Sequence, residues 1–152
     1  MKEQDTLYLR DANNEDMEAL TSLIADLGYP ATLDEIRLRF TNIFNQNGFK
    51  TKLAIAEDGQ PGGLIGMCAS YGYEHNAIYI RVLALVVGKN YRKKGIGRIL
   101  MNEAERWANE IGAYQIVLTS GLRDERKAAY AFYQSIGYEI KASGFVKKLK
   151  NG

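Results

Sequence analysis

The 152-residue sequence holds one cysteine, one histidine and two prolines. A lone Cys68 excludes an internal disulfide, which fits a reducing compartment and makes the cytoplasm the default location. One histidine and one cysteine leave no cluster for zinc, so no metal is expected. Two prolines and no low-complexity tract argue against a disordered chain. No apolar run is long enough to cross a bilayer, and Met1 to Asp5 is polar, unlike a signal region. The formal net charge is only +2. Bulk charge this small gives no reason to expect nucleic acid or membrane as partners, so any basic effect must be local. What remains is an ordinary globular composition, 46% hydrophobic and 25% charged, sized for a single domain over residues 1–152.

Periodicity orders the chain. Leu7 to Arg10 reads as a first strand. Asn14 can cap a helix with Met17, Leu20, Ile24 and Leu27 on one face, stopped by Gly28. Thr32 and Glu35 form a capping box that opens a second helix, with Ile36, Phe40 and Ile43 inward. Strands are expected over Lys52 to Glu57, Leu64 to Tyr71 and Ala77 to Val87, the last apolar on both faces near its end. Gly95 to Ile111 is a third helix closed by Gly112, Tyr114 to Thr119 a buried strand, and Asp124 to Ile136 a fourth helix. Tyr138 to Lys141 and Phe145 to Leu149 suggest a terminal hairpin. The order predicts an α+β or α/β sheet domain with helices beside a central sheet.

Two segments carry chemistry. Arg92-Lys93-Lys94-Gly95-Ile96-Gly97 lies between a strand end and a helix start, where backbone N–H groups are unpaired and the dipole is positive. Two glycines let a phosphate approach the backbone, and Arg92, Lys93, Lys94 and Arg98 add cations. On their own these residues fit equally a basic helix start with two turn glycines. Gly97 is followed by Arg98-Ile99, which excludes a P-loop. Leu100 stands where a dinucleotide fingerprint needs its third glycine, and the next strand ends in Thr119-Ser120 rather than an acid. The second segment carries Ala129, Phe132, Tyr133 and Gly137-Tyr138. Tyr133 is either a packing tyrosine or a general acid, since a phenol of pKa about 10 can protonate a departing thiolate.

Taken together, Arg92-x-x-Gly95-x-Gly97 and Ala129-x-x-Phe132-Tyr133-x-x-x-Gly137-Tyr138 resemble the two hallmark motifs of the GNAT superfamily of N-acetyltransferases. The element order fits as well. The resemblance implies a mixed, mostly antiparallel sheet with splayed fourth and fifth strands and helices on both faces. It also implies an enzyme that moves an acetyl group from acetyl-CoA to a primary amine of a small molecule or peptide, by direct attack in a ternary complex. The pantetheine arm would pair with Leu85, Val86 and Val87. The diphosphate would sit on amides of Lys93 to Gly97, with Arg92 and Arg98 beside it, and a backbone N–H near Leu85 would polarise the thioester carbonyl. Ala129 and Phe132 would border the cofactor, and Tyr133 would be the acid. Arg126 stands where the family often has an asparagine touching the cofactor, and Arg123 lies nearby.

Glu74 and His75, in the turn before the fourth strand, are candidate bases, although Gly72 to Asn76 also reads as a plain polar turn. Tyr29, Tyr71, Tyr79 and Arg81 are candidate walls of an acceptor pocket, with Tyr73 beside them. Leu27-Gly28-Tyr29-Pro30 is similar to family members that acetylate small amines. Relatives of this kind often form dimers, so a homodimer is a candidate assembly. Cys68 and Trp107 read as core residues. The rival from another class is a catalytically silent acyl-CoA-binding regulatory module, from which Tyr133 separates the enzyme.

Overall fold

The computed structural model describes residues 6–119 and 127–151, with Lys127 in its backbone alone. Among the described residues, five strands and four α-helices follow in the order β1 (Tyr8–Asp11), α1 (Met17–Leu27), α2 (Leu33–Phe44), β2 (Phe49–Ile55), β3 (Pro61–Tyr71), β4 (Ile78–Val87), α3 (Ile96–Ile111), β5 (Ile116–Leu118) and α4 (Lys127–Ser135). The chain divides into two compact units, one ending at Leu118 and the other starting at Thr119.

The first unit is built on a sheet in sequential order, β1-β2-β3-β4-β5. β1 to β4 run antiparallel, and β5 joins β4 in parallel. That parallel pair needs a crossover, and α3 is the crossover helix. Leu20, Leu23 and Ile24 of α1 and Ile36 and Phe40 of α2 pack with Leu53, Ile55, Leu64 and Val86 into one core. The other face of the sheet belongs to α3. A Cβ on Gly63 would come within 2.7 Å of Ile96 and 3.1 Å of Leu100. Leu64 and Gly63 therefore point to opposite faces, as strand alternation demands.

Several boundaries differ from the sequence reading. Asn13 rather than Asn14 is the cap. Its side chain accepts from Glu15, while Asp16 returns a bond to the Asn13 amide at 2.8 Å. This reciprocal box holds a short 3-10 turn, Asn14–Asp16, ahead of α1. The Thr32–Glu35 box forms as expected. β2 starts at Phe49, earlier than expected, because Phe49, Lys50 and Thr51 find partners in Cys68, Met67 and Gly66.

In the second unit, α4 runs to Ser135 and the chain turns at Gly137, whose φ is +98°. Asp124, expected to open this helix, lies outside the described residues. The expected terminal hairpin does not form: no strand occurs over residues 138–149. Ile140, Phe145, Val146 and Leu149 are exposed there. Without an apolar face buried against another layer, a two-stranded hairpin has little to hold it.

Candidate active site

Where β4 passes β3, the ladder slips once. Gly66 pairs with Ala84, but Met67 pairs with Val82, so Leu83 is an extra residue. Such a bulge bends its strand and exposes the inserted residue, and Leu83 is 52% exposed. The bulge coincides with the end of β5, whose last pair is Val82 with Leu118. Beyond it, Leu83 to Val87 run on without β5 beside them, so the fourth and fifth strands part here.

The free edge has a definite polarity. The Gly88 amide donates to the Gly62 carbonyl at 2.8 Å, so Gly88 faces β3. Alternation in an antiparallel pair then turns the N–H and C=O of Val87 and Leu85 to the open side. The Arg92 Nε accordingly reaches the Val87 carbonyl at 3.4 Å. Val86, expected beside them, faces β3 through its backbone, and its buried side chain joins the α1–α2 core. An edge of this kind can pair with an extended ligand that carries amides.

The edge leads directly into the glycine-containing turn. After a 3-10 turn, Lys89–Tyr91, the chain is extended at Arg92. Lys93 and Gly95 then take left-handed conformations, with φ of +65° and +77°. Backbone that alternates hand in this way gathers successive N–H groups into an anion-binding concavity. The first bond of α3 runs from Ile99 N–H to the Gly95 carbonyl. The amides of Ile96, Gly97 and Arg98 precede it and lie at the positive end of a 16-residue helix. No side chain caps this end, and its first turn holds no acid. Arg92, Lys93, Lys94 and Arg98 are all exposed around it. The Ile96 side chain is buried under Gly63, so only its amide serves the turn.

The candidate bases sit elsewhere. Glu74 and His75 lie in an exposed turn before β4, whose first residue, Ile78, is itself five residues, about 17 Å along a strand, from Leu83. Glu74 Oε1 accepts from the Tyr114 hydroxyl at 3.0 Å. The His75 ring stacks on Tyr114 with centroids 3.8 Å apart, and its Nδ1 accepts from the Ala77 amide at 2.9 Å. That bond keeps the proton of the neutral ring on Nε2. Burial, then the Glu74 contact, raises the Tyr114 phenol above its ordinary value. Tyr114 escaped the sequence reading because its partners lie some 40 positions away.

Of the expected wall residues, the structure joins two. Tyr79 and Arg81 oppose Ser70 and Cys68 and share the face of Leu64. The Arg81 guanidinium carbon lies 5.9 Å from the Tyr79 ring centre. Tyr71 lies an odd step from Ser70 and so points to the other face. Tyr29 is exposed in the connection between α1 and α2. Sequence reasoning missed an apolar hollow of about 210 Å³ on the α1–α2 side, lined by Ile24, Arg39, Phe40, Phe49, Leu83 and Ala84 among others. It opens at the bulge, and no pattern in the sequence announces a one-residue slip.

Tyr133 lies on α4, in the second unit. Its ring meets Phe132 edge-on at 5.3 Å and Tyr138 at 6.2 Å. Its carbonyl accepts from the Tyr138 amide at 3.0 Å, which closes the helix. Ala129 is on the same helix. Arg123 and Arg126 lie outside the described residues. Among the described residues no group of three His, Cys, Asp or Glu side chains is placed to hold a metal ion, and no helix is long and apolar enough to cross a membrane.

The chain is similar in structure to a GNAT family acetyltransferase from Staphylococcus aureus, at 34% identity, covering 95% of this chain and 99% of that one, with a TM-score of 0.80. An aminoglycoside N-acetyltransferase in complex with CoA shares the fold at 16% identity, 95% coverage of each chain and a TM-score of 0.80. So does a transcriptional regulator from Bacillus halodurans, at 20% identity, covering 95% of this chain and all of that one, with the same TM-score. No curated protein matches the sequence. The model of the acetyltransferase (GNAT) family matches residues 10–138, the span that carries the bulged β4, the open edge and the amide turn, and the chain belongs to that family.

Proposed function

We propose that the protein transfers an acetyl group from acetyl-CoA to the primary amine of a small molecule or peptide, with both substrates bound together, and that residues 1–152 act as one cytoplasmic acetyltransferase domain. The observation that carries this reading is the edge of β4, unpaired among the described residues, followed after one 3-10 turn by an amide-lined helix start that no side chain caps. The two features suit the two ends of one ligand, an amide-bearing arm and a diphosphate. Acetyl-CoA supplies the acetyl group as a thioester.

The chain's own groups then have distinct tasks. The C=O of Leu85 and the N–H and C=O of Val87 orient the pantetheine arm as a neighbouring strand would. The amides of Lys93 to Gly97 bind the diphosphate, and Arg92, Lys93, Lys94 and Arg98 neutralise it. The Leu85 N–H is suited to polarise the thioester carbonyl, where negative charge grows during attack. Tyr133 donates the proton that the departing thiolate needs, and the proton lost by the attacking amine passes to water, from which the phenol is restored. A direct transfer needs hydrogen-bond reach, so the proposed mechanism takes neither Glu74 nor His75 as its base.

The hollow beside the bulge favours an acceptor with an apolar body. A polyhydroxylated amine would lose its hydration there without replacement hydrogen bonds. Thiol release from acetyl-CoA, measured across arylalkylamines, aliphatic amines, aminoglycosides, polyamines and peptide N-termini, tests both levels. Turnover led by the apolar amines is expected. Turnover led by aminoglycosides would remove the apolar pocket from acceptor binding. CoA affinity by calorimetry without turnover of any amine would leave a binding module, and absence of CoA affinity would remove the whole reading.

A further inference from the structure

The basic turn between β4 and α3 is held from outside by two carboxylates. At its entry, Asp26 on α1 accepts from the Lys89 amide at 3.0 Å. Further on, Asp58 in the β2–β3 turn accepts from the Tyr91 hydroxyl at 2.6 Å. Such a short bond to an ionised acceptor is stronger than one between neutral groups. Asp58 is fixed in turn, because its other oxygen accepts from the Gln60 amide at 3.0 Å.

Tyr91 is also wedged between backbones. A Cβ on Gly62 would stand 2.9 Å from its ring, and one on Gly88 3.3 Å. Glycine at both places admits the ring. The Lys94 ammonium lies 5.8 Å from the centre of the same ring, where the ring's negative face attracts a cation. The Tyr91 bond, with the Gln60 amide behind it, holds the Asp58 carboxyl below its ordinary range, while Asp58 raises the Tyr91 phenol. At neutral pH the acceptor is therefore charged and the donor protonated.

We propose that Asp58 and Tyr91 are positioning residues for the diphosphate: their bond locks the Tyr91 ring, and the ring sets the path of Arg92 to Lys94 so that the following amides converge on one anion. This inference rests on reading that turn as the diphosphate site. Neither residue needs to touch the ligand.

Five variants of the full chain test it by calorimetry with CoA. Tyr91→Phe keeps the wedge and loses the hydroxyl, and Asp58→Ala loses the acceptor. Each should weaken CoA binding about five- to tenfold, the scale of one hydrogen bond. The KM for acetyl-CoA should rise in step, with kcat held within about twofold. Asp58→Asn keeps an oxygen acceptor and should recover most of the affinity. The double variant Asp58→Ala with Tyr91→Phe should bind CoA no more weakly than either single one. A bond that served stability alone would lower Tm and leave the CoA affinity of the folded variants at the wild-type value, which would overturn the proposal, as would losses that multiply in the double variant. Gly97→Val separates this outcome from failure of the underlying reading. If Gly97→Val weakens CoA binding while Tyr91→Phe and Asp58→Ala do not, the brace alone falls. If Gly97→Val also binds normally, the diphosphate lies elsewhere.

Discussion

Lys93 is the one non-glycine residue with positive φ among the described residues, at +65°. A left-handed conformation costs an L-residue roughly 1–2 kcal/mol, and here the cost falls inside the turn proposed to bind the diphosphate. Lys93→Gly should therefore leave the fold as stable or more stable, by up to about 1 kcal/mol after the entropy of glycine is counted. The same change removes a cation and should weaken CoA binding. Urea unfolding and CoA calorimetry on one sample check both halves, and lower stability would mean that Lys93 is not strained. Tyr133→Phe is a cleaner loss. It should lower kcat at least tenfold and leave CoA affinity near the wild-type value, in line with the usual size of acid catalysis, about 10²-fold or more. Unchanged turnover would return Tyr133 to packing. At this scale the sequence was informative about local backbone, as at Gly95, which takes the left-handed conformation that opens α3. It was silent about Asp58 and Tyr91, whose bond joins positions 33 apart. It was misleading about Tyr71, because only the strand register shows which face a side chain takes.

The helices contrast at their starts. α2 satisfies its first amides with the Thr32–Glu35 box, legible as four residues of sequence. α3 is longer and leaves its start without a capping side chain. An element that forgoes a cap forgoes about 1 kcal/mol, and an anion at such a start, as proposed above for the diphosphate of CoA, would recover it. The open edge of β4 follows the same logic, because an unpaired strand edge is otherwise a liability. The bulge at Leu83 was not legible, since it arises from pairing with a distant strand, whereas the parting of β4 from β5 was expected from the family resemblance alone. The terminal hairpin failed for a related reason: alternation over a few residues identifies strand-forming segments but not the layer they would need. Contact between β3 and α3 yields a further prediction. Gly63 lets the two elements approach so closely that Gly63→Ala would press on Ile96 at 2.7 Å and on the Val86 carbonyl at 3.2 Å. Overpacking of this kind typically costs about 1–3 kcal/mol. Denaturant unfolding should show that loss, and an unchanged midpoint would mean that α3 yields without cost.

Two acids in the first unit tie the stability of the molecule to pH. Asp16 is buried, with both oxygens on the Arg10 guanidinium at 2.8 Å and the Asn13 amide donating to it as well. Glu103 is buried on α3, bridged by Arg106 from its own helix and approached by Lys52 from β2 at 3.8 Å. The Arg10 bond holds Asp16 below its ordinary value, and the Arg106 bond does the same for Glu103, burial opposing in each case. A depressed carboxyl stabilises the folded state at pH above its unfolded value and loses that contribution as pH falls through the folded one. Both acids act in the same direction, so stability should be flat near neutrality and fall below about pH 4.5, the ordinary range of these groups. Urea midpoints from pH 7 to pH 3 measure that fall. Glu103→Gln should unfold more easily at pH 7, because Arg106 and Lys52 each lose one of two counter-charges, Glu110 and Asp11 remaining, yet show a shallower loss toward pH 3, because one titrating group is gone. A Glu103→Gln curve parallel to the wild type would mean that the acid sensitivity resides in the other depressed carboxyls, Asp16, Asp58 and Glu35, and Asp16→Asn would then measure the share of the buried one.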